Sequence, residues 1–128
     1  MAFKSITTGY FDKKFSKLTG KNRTFKLQVI NKMKCIRQNP EIGEPKSHNL
    51  RGLRALHILE HFVVVYFILK NTVVFINLDH HDKAYDSEIT MRLVKRLIED
   101  ERLLAALVVS NIQIEDFVDL VRSVGKQK

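Results

Sequence analysis

The fold is decided by residues 54–79, whose sequence is RALHILEHFVVVYFILKNTVVFINLD. This stretch contains three extended segments, at residues 54–59, 62–69 and 72–79. The middle segment is apolar and rich in β-branched and aromatic residues, as is typical of a central strand covered on both faces. Lys70 and Asn71 form a two-residue connection. Because Asn tolerates positive φ, the second and third segments are predicted to pair as an antiparallel hairpin.

Side-chain alternation along the third segment predicts which residues share a face of the sheet. One set is apolar and is expected to face the helices that precede the strands; it consists of Val74, Ile76 and Leu78. The other set is mixed and is expected on an open face; it consists of Phe75, Asn77, Asp79 and, if the strand continues, His81. By the same parity Leu56 and Ile58 point inward, so His57 is expected on the open face.

A strand and two helices are predicted before this stretch. The alternating residues 3–7 lead into a helix that ends near Gly20, and a second helix runs from about Arg23 to Gln38. The second helix has an apolar stripe that consists of Phe25, Val29, Met33 and Ile36. Asn39-Pro40 ends this helix, because the residue before a proline avoids helical geometry.

Helical periodicity returns from Glu88 onward. The apolar stripe there consists of Ile89, Leu93, Leu97, Leu104 and Leu107 or Val108. Ser110-Asn111-Ile112-Gln113 has the form of a capping box for a last helix. The predicted order is therefore β-α-α-β-β-β-α-α, an α+β fold in which two N-terminal helices pack on a small, mainly antiparallel sheet. Residues 1–87 would form the main domain, and residues 88–128 a helical extension of it.

Length and composition describe one soluble domain, since 128 residues with 45% hydrophobic content can bury a sufficient core without a disulfide. The longest apolar run, at residues 62–69, is far shorter than the roughly 20 residues of a membrane-spanning helix. Met1-Ala2-Phe3-Lys4 also lacks the apolar stretch of a signal peptide. We therefore expect a cytoplasmic protein without a membrane role. The lone Cys35 fits a reducing compartment and is expected to fill a helix position.

The net charge of +8 is concentrated in the N-terminal half. Residues 1–57 contain 13 Lys and Arg against 3 Asp and Glu, whereas residues 88–128 contain 7 of each sign. Such an asymmetry favours a surface that faces a polyanion, with RNA or DNA as the obvious candidates. The alternative is a surface whose lysines serve solubility.

Histidines supply the candidate chemistry. His57, His61, His80 and His81 could cluster around the sheet, and His48 lies in the preceding loop. Free imidazole titrates near pH 6.5, at about the pH of cells, so a pair of histidines can supply a general base and a general acid. Metal-free RNA cleavage needs such a pair, together with cations that stabilise the charged phosphate. The candidate cations are Lys46, Arg51 and Arg54.

Two other interpretations of these residues remain open. His80-His81-Asp82 offers zinc ligands, but adjacent strand residues point to opposite faces and no helical ligand motif completes the site. We therefore expect neither a metal nor a cofactor. Tyr85 would either stack on a base or donate its hydroxyl to a phosphate, or it would simply cover the edge of the sheet.

Six pieces of the sequence, taken in order, resemble the RelE/ParE superfamily, the small toxins of bacterial and archaeal toxin–antitoxin systems. They lie between Phe3 and Tyr85 and comprise the opening strand, FDKKFSKL at 11–18, NPEIG at 39–43, LRGLR at 50–54, the strand ending near Tyr66, and HHDKAY at 80–85. The last piece is similar to the family's His-Arg-x-x-x-Tyr ending, with His81 where arginine is usual. The resemblance implies a RelE-like fold.

The placement of the histidines is similar to the YafQ-like branch of this family. Residues 48–52 resemble its His-x-Leu-x-Gly loop, His57 its strand histidine, and His81 with Tyr85 its closing His-x-x-x-aromatic ending. The chain differs at Val63, where many family members carry an arginine, and at His61, where this branch has an acidic residue.

The resemblance also implies roles and partners. His48, His57 and His81 would share proton transfer and phosphate contact, His61 would contact RNA, and Tyr85 would position a base. The protein would be an mRNA endoribonuclease that acts on the ribosome and is neutralised by an antitoxin. The competing class is a non-catalytic interaction protein, either a ParE-like poison of a protein target or a degenerate relative that only binds antitoxin or RNA.

The helices after residue 87 have no counterpart in the resemblance, and three arrangements are open for them. They could pack on the domain's own sheet, form a homodimer interface, or occupy the groove that an antitoxin helix would fill. If they cover the open face of the sheet, they would block RNA.

Overall fold

A five-stranded sheet organises the chain in the computed structural model, which describes residues 2–126. The strands are β1 (Lys4–Thr7), β2 (Glu44–Pro45), β3 (Arg54–Ile58), β4 (Phe62–Leu69) and β5 (Thr72–His80), and their spatial order is β1-β5-β4-β3-β2. β1 pairs with β5 in parallel, and the other three pairings are antiparallel. The mainly antiparallel sheet and its three long central strands confirm the prediction from residues 54–79.

Six α-helices accompany the sheet in the described part of the chain. They are α1 (Gly9–Thr19), α2 (Arg23–Gln38), α3 (His81–Ala84), α4 (Ser87–Arg96), α5 (Glu101–Val109) and α6 (Ile114–Ser123). One-turn 3-10 helices lie at Pro40–Ile42, His48–Leu50 and Leu97–Glu99. Thr8 and Asn22 are the N-cap residues of α1 and α2. The side chain of each accepts a hydrogen bond from a backbone N–H in the first turn of its helix, which fixes where the helix begins.

α1 and α2 cover one face of the sheet. Their buried residues Phe11, Phe25, Val29 and Ile36 pack against Ile58, Val64, Tyr66, Val73, Phe75 and Leu78. The apolar stripe predicted for the second helix is therefore confirmed, with Met33 partly buried beside it. Leu56 packs on the same side, so His57, its neighbour along β3, lies on the opposite face.

A β-bulge makes part of the face prediction wrong. Val65 pairs with Asn77 and Tyr66 with Phe75, so Ile76 is an extra residue on β5. The extra residue reverses the alternation of side chains beyond it. As a result Phe75 faces α1 and α2 together with Leu78, whereas Val74 and Ile76 face the other side of the sheet. Asn77 and Asp79 do lie on the face of His57, since the three residues pair with Val65 or Val63 of β4.

The C-terminal helices cover most of that second face. The expectation that it is open was therefore wrong at Asn77 and Asp79, which are both buried. Leu97, Leu103, Leu107, Phe117, Val121 and Val124 pack against Ala55, Val63, Val65, Phe67, Val74 and Ile76. Of the three arrangements open for these helices, the structure shows packing on the chain's own sheet. The apolar stripe predicted there was wrong at Ile89, which is exposed, and it left out Leu103, which is buried. Of the two alternatives Leu107 and Val108, the buried residue is Leu107.

Local turn chemistry differs from prediction at three points. In the β4–β5 connection the residue with positive φ is Lys70, at 58°, and not Asn71. The predicted helix from Glu88 breaks at Leu97–Glu99, because the side chain of Asp100 caps a new helix at Leu103 N. The predicted capping box was wrong, since Ser110 ends α5 and Gln113 begins α6 without a side-chain hydrogen bond.

Across residues 2–126, no helix has the length and apolar character to span a membrane.

Candidate active site

Four aromatic side chains form a chain of neighbouring rings at the end of the sheet. The ring of Tyr85 has His57 edge-on at 6.1 Å and His81 at 6.4 Å between centroids. His81 also stacks on His61, with centroids 6.4 Å apart and planes 25° from parallel. We call these residues the ring cluster (His57, His61, His81 and Tyr85). It brings together imidazoles from positions 57 and 81, which are far apart in the chain.

Strand pairing and one short helix position these rings. His57 lies on β3 opposite Val63, and His61 lies in the turn that leads into β4. The backbone N–H of His81 donates to His61 O at 2.8 Å, which fixes the start of α3 beside that turn. Because α3 is one turn of helix, residues four apart share a face, and Tyr85 lies beside His81. The spacing of four was visible in the sequence; the approach of His57 depends on the sheet.

The ring cluster is accessible to solvent. His57 and His61 are exposed, and the His81 side chain is 39% exposed. Although α4, α5 and α6 cover the neighbouring part of this face, they leave these imidazoles uncovered. Solvent therefore reaches these imidazoles with the C-terminal helices in place.

Charged groups surround the Tyr85 ring. Lys46 Nζ lies 3.7 Å above the ring centroid, in a cation–π contact. The pKa of Tyr85 is raised above its usual range, mainly because the phenol is partly buried and to a lesser extent because the carboxylate of Glu44 lies nearby. The phenol therefore stays protonated at neutral pH and can donate a hydrogen bond. His81 Nδ1 lies 3.0 Å from Asp82 Oδ1, a contact that can orient the imidazole.

The other two histidines are placed differently. His80 packs against Phe62 at 4.4 Å between centroids, and Phe62 in turn packs against Phe25 of α2. His80 therefore lies on the α1–α2 side of the sheet and is not a member of the ring cluster. His48 lies in the 3-10 helix His48–Leu50 with φ 55°, is exposed, and shares its loop with the exposed Arg51.

The Arg54 side chain binds backbone carbonyl groups of the preceding loop, a contact that the sequence did not reveal. It pairs with Tyr66 across the β3–β4 ladder, so its side chain is on the α1–α2 side and not on the face of His57. Its guanidinium donates to Gly43 O at 2.7 Å and to Glu41 O at 3.2 Å. The predicted phosphate-binding role of Arg54 therefore competes with two backbone contacts, whereas Lys46 lies over the Tyr85 ring.

Sequence reasoning also missed a buried polar pair beside the site. Lys14 Nζ lies 2.8 Å from Asp79 Oδ2, with the Asp79 side chain only 8% exposed. The docking of α1 on β5 brings these residues together across 65 positions of sequence, so no local pattern could have shown the pair. Across residues 2–126, no three His, Cys, Asp or Glu side chains converge as a metal site.

Comparisons with known proteins define the class. The structure resembles the Escherichia coli toxin RelE, solved as a mutant in the free state, with a TM-score of 0.58 and 21% identity over 76% of this chain and 99% of that one. Escherichia coli YafQ gives a TM-score of 0.53 at 17% identity, over 65% of this chain and 98% of that one. These likenesses confirm the RelE-like α+β fold.

Sequence comparison then gives the family. The family model described as ParE toxin of type II toxin-antitoxin system, parDE, matches residues 8–85. The candidate toxin RelE4 of Methanocaldococcus jannaschii is 34% identical over 76 residues, which is 58% of this chain and 81% of that protein. The chain therefore belongs to the ParE toxin family, within the RelE/ParE superfamily that its sequence resembles. All four residues of the ring cluster lie inside the matched span, and α4, α5 and α6 lie outside it.

Proposed function

We propose that this toxin is a metal-independent endoribonuclease that cleaves mRNA by histidine acid–base chemistry. The observation that carries the proposal is that two accessible imidazoles, His57 and His81, flank the ring of Tyr85 at 6.1 and 6.4 Å. An acid and a base must both reach the scissile phosphate, and the placement of two imidazoles next to one ring supports such a pair.

The reaction is an attack of the ribose 2′-oxygen on the adjacent phosphorus. One imidazole takes the proton of the 2′-hydroxyl as the new O–P bond forms. The other gives a proton to the 5′-oxygen as its bond to phosphorus breaks, so no net proton is consumed. The products are a 2′,3′-cyclic phosphate and a free 5′-hydroxyl. Cationic side chains stabilise the charge that develops on the phosphate oxygens.

The remaining candidate residues have supporting roles in this proposal. Lys46 and Arg51 contact phosphates, His48 lies beside Arg51 on the same loop, and His61 extends the RNA contact beyond His81. Tyr85 stacks on a base or donates its hydroxyl, which the raised pKa keeps protonated. Membership in a toxin–antitoxin family adds an antitoxin as the neutralising partner, and mRNA on the ribosome in the cytoplasm is the proposed substrate.

The test is inducible expression followed by sequencing of transcript 5′ ends. His57→Gln and His81→Gln should each lower cleavage by about 10²- to 10⁴-fold, the usual contribution of a general acid or base. His80→Gln is the matched control, because His80 is next to His81 in sequence but packs on Phe62 on the other side of the sheet. Full cleavage by both of the first two variants would show the acid–base assignment to be wrong.

A second candidate function is poisoning of a protein target without RNA cleavage. The matching family model favours it, since its description names ParE toxins. The same expression experiment separates the two functions. Growth arrest with intact transcripts and DNA damage would support the poison, whereas new transcript 5′ ends that depend on His57 and His81 would support the nuclease.

A further inference from the structure

The loop of residues 46–53, which we call the site loop, carries three of the candidate RNA-contacting side chains: Lys46, His48 and Arg51. Its backbone is closed by Lys46 N, which donates to Leu53 O at 2.9 Å. Inside the loop, Leu50 N donates to Ser47 O and Arg51 N donates to His48 O, both at 3.1 Å. The loop is therefore a series of tight turns with a defined conformation.

The C-terminal turn at residues 121–125 packs directly on the backbone of the site loop. Gly125 N donates to Arg51 O at 2.8 Å. Val124 is only 3% exposed, and its Cγ2 lies 3.7 Å from the position that a Cβ on Gly52 would occupy. The C-terminal turn and the site loop thus meet at Gly125 and Gly52. Both glycines have positive φ, 81° for Gly125 and 104° for Gly52.

Gly125 is the residue that permits this approach. At φ 81° an L side chain is strained, because Cβ collides with neighbouring backbone. A Cβ built there would also lie 2.5 Å from Asn49 O and 3.1 Å from Asn49 C. Both contacts are with backbone, which cannot swing aside as a flexible side chain would. Any substitution at Gly125 must therefore move either the C-terminal turn or the site loop.

The contact uses the backbone of the site loop, and the loop's buried side chains, Leu50 and Leu53, are not among the candidate RNA contacts. His48 and Arg51 remain exposed, and Lys46 remains over the Tyr85 ring. The residues that make the contact lie beyond residue 85, where the family match ends. We propose that the C-terminal extension positions the site loop for RNA binding, and that Gly125 is the positioning residue. This inference rests on the proposed nuclease function.

The experiment compares Gly125→Ala and Gly125→Val with Gly9→Ala in the full-length protein. Gly9 is a matched control, because it lacks positive φ and a Cβ there would make only an ordinary contact, 3.7 Å from Asp100 Oδ2. Hydrogen exchange at the Leu50 and Arg51 amides reports on the site loop, and exchange in β4 reports on the fold. RNA cleavage is measured as kcat and KM at several salt concentrations.

We expect the Gly125 variants to exchange the two loop amides at least about tenfold faster, with β4 unchanged. KM should rise about tenfold, the effect of losing one charge-assisted contact, and the dependence of KM on salt should become weaker. A merely structural role would lower the folded fraction, which reduces kcat and leaves KM unchanged. Gly9→Ala should match the wild type in every measurement.

Three outcomes would overturn the inference. Unchanged loop exchange in Gly125→Val would show that the C-terminal turn does not hold the loop. Faster loop exchange with unchanged KM would show that the loop does not serve RNA binding. A fall in kcat at constant KM would assign Gly125 to folding alone. Failure of the proposed function is distinguishable, because then the wild type itself cleaves no RNA, while the exchange measurement still decides whether the extension holds the loop.

Discussion

The hydroxyl of Tyr66 lies between two backbone groups in the protein interior. It accepts a hydrogen bond from Gly43 N at 2.9 Å and donates one to Pro40 O. Tyr66→Phe leaves both backbone groups buried without a partner, so we expect the free energy of unfolding to fall by about 1–3 kcal/mol. Urea denaturation measures the change. Tyr10→Phe is the control, since Tyr10 is exposed and should change stability by less than about 0.5 kcal/mol.

The same side chain makes stability depend on pH. Burial raises the pKa of Tyr66, although the Gly43 N–H and the Arg54 guanidinium partly oppose the rise. The folded state therefore holds the phenol proton more tightly than the unfolded state. Stability from this group is complete below about pH 10 and is lost as pH rises further. Tyr66→Phe should unfold with a shallower alkaline slope than the wild type; equal slopes would contradict the assignment.

The candidate site was predictable from sequence only at the residues that local spacing connects. The interval between His81 and Tyr85 matches one helical turn, and the parity of β3 put His57 on the correct face. The backbone contacts of Arg54 and the position of Lys46 above Tyr85 arise from long-range packing, which no local pattern encodes. His48 belongs to the predicted set, and its role stays a prediction.

Among the elements, the turn between β3 and β4 contains an unfavourable backbone conformation. Leu59 has φ 57° and is 55% exposed, so it occupies the left-handed region without a buried side chain to compensate. Leu59→Gly should therefore raise the free energy of unfolding by about 1 kcal/mol. Thermal or urea unfolding measures this gain.

Glu60→Gly is the matched control in the same turn. Glu60 is not among the residues with positive φ, so glycine there should cost about 0.5–1 kcal/mol through the entropy of the unfolded chain. If both glycine variants change stability in the same direction, backbone strain at Leu59 is not the cause.

Elements with strong periodicity were predictable, and irregular ones were not. The bounds of α2 follow from its apolar stripe and from Asn39-Pro40, and the structure reproduces them. The bulge at Ile76 was not predictable from sequence. The side chains of Val74, Phe75 and Ile76 suit either face of a sheet that is covered on both sides. The break before α5 depends on the Asp100 side chain, which caps Leu103 N and also accepts from Gly9 N.

For the whole molecule, we propose that residues 88–128 are part of the same cooperative unit as residues 1–87. Phe117 of α6 is fully buried and packs on Phe67 of β4, with ring centroids 6.2 Å apart. Phe117→Ala should lower the free energy of unfolding by about 3–5 kcal/mol. It should do so in one transition, seen at the same urea concentration by circular dichroism and by amide signals from α2.

The control for this prediction is Val109→Ala, because Val109 is 83% exposed and should have little effect on stability. A Phe117→Ala protein in which α4, α5 and α6 unfold first, while the signals of α2 persist, would show that the extension is a separate unit.

The surface on which the C-terminal helices pack was left open by the sequence, since an apolar helix stripe does not specify its partner.

The sheet ends on one side in a strand of only two residues, Glu44–Pro45. Pro45 has no amide proton to donate, and Glu44 alone offers too short a ladder of hydrogen bonds for another polypeptide to extend. This edge therefore offers little template for edge-to-edge strand pairing with another chain, so any such pairing would have to use the opposite edge, β1.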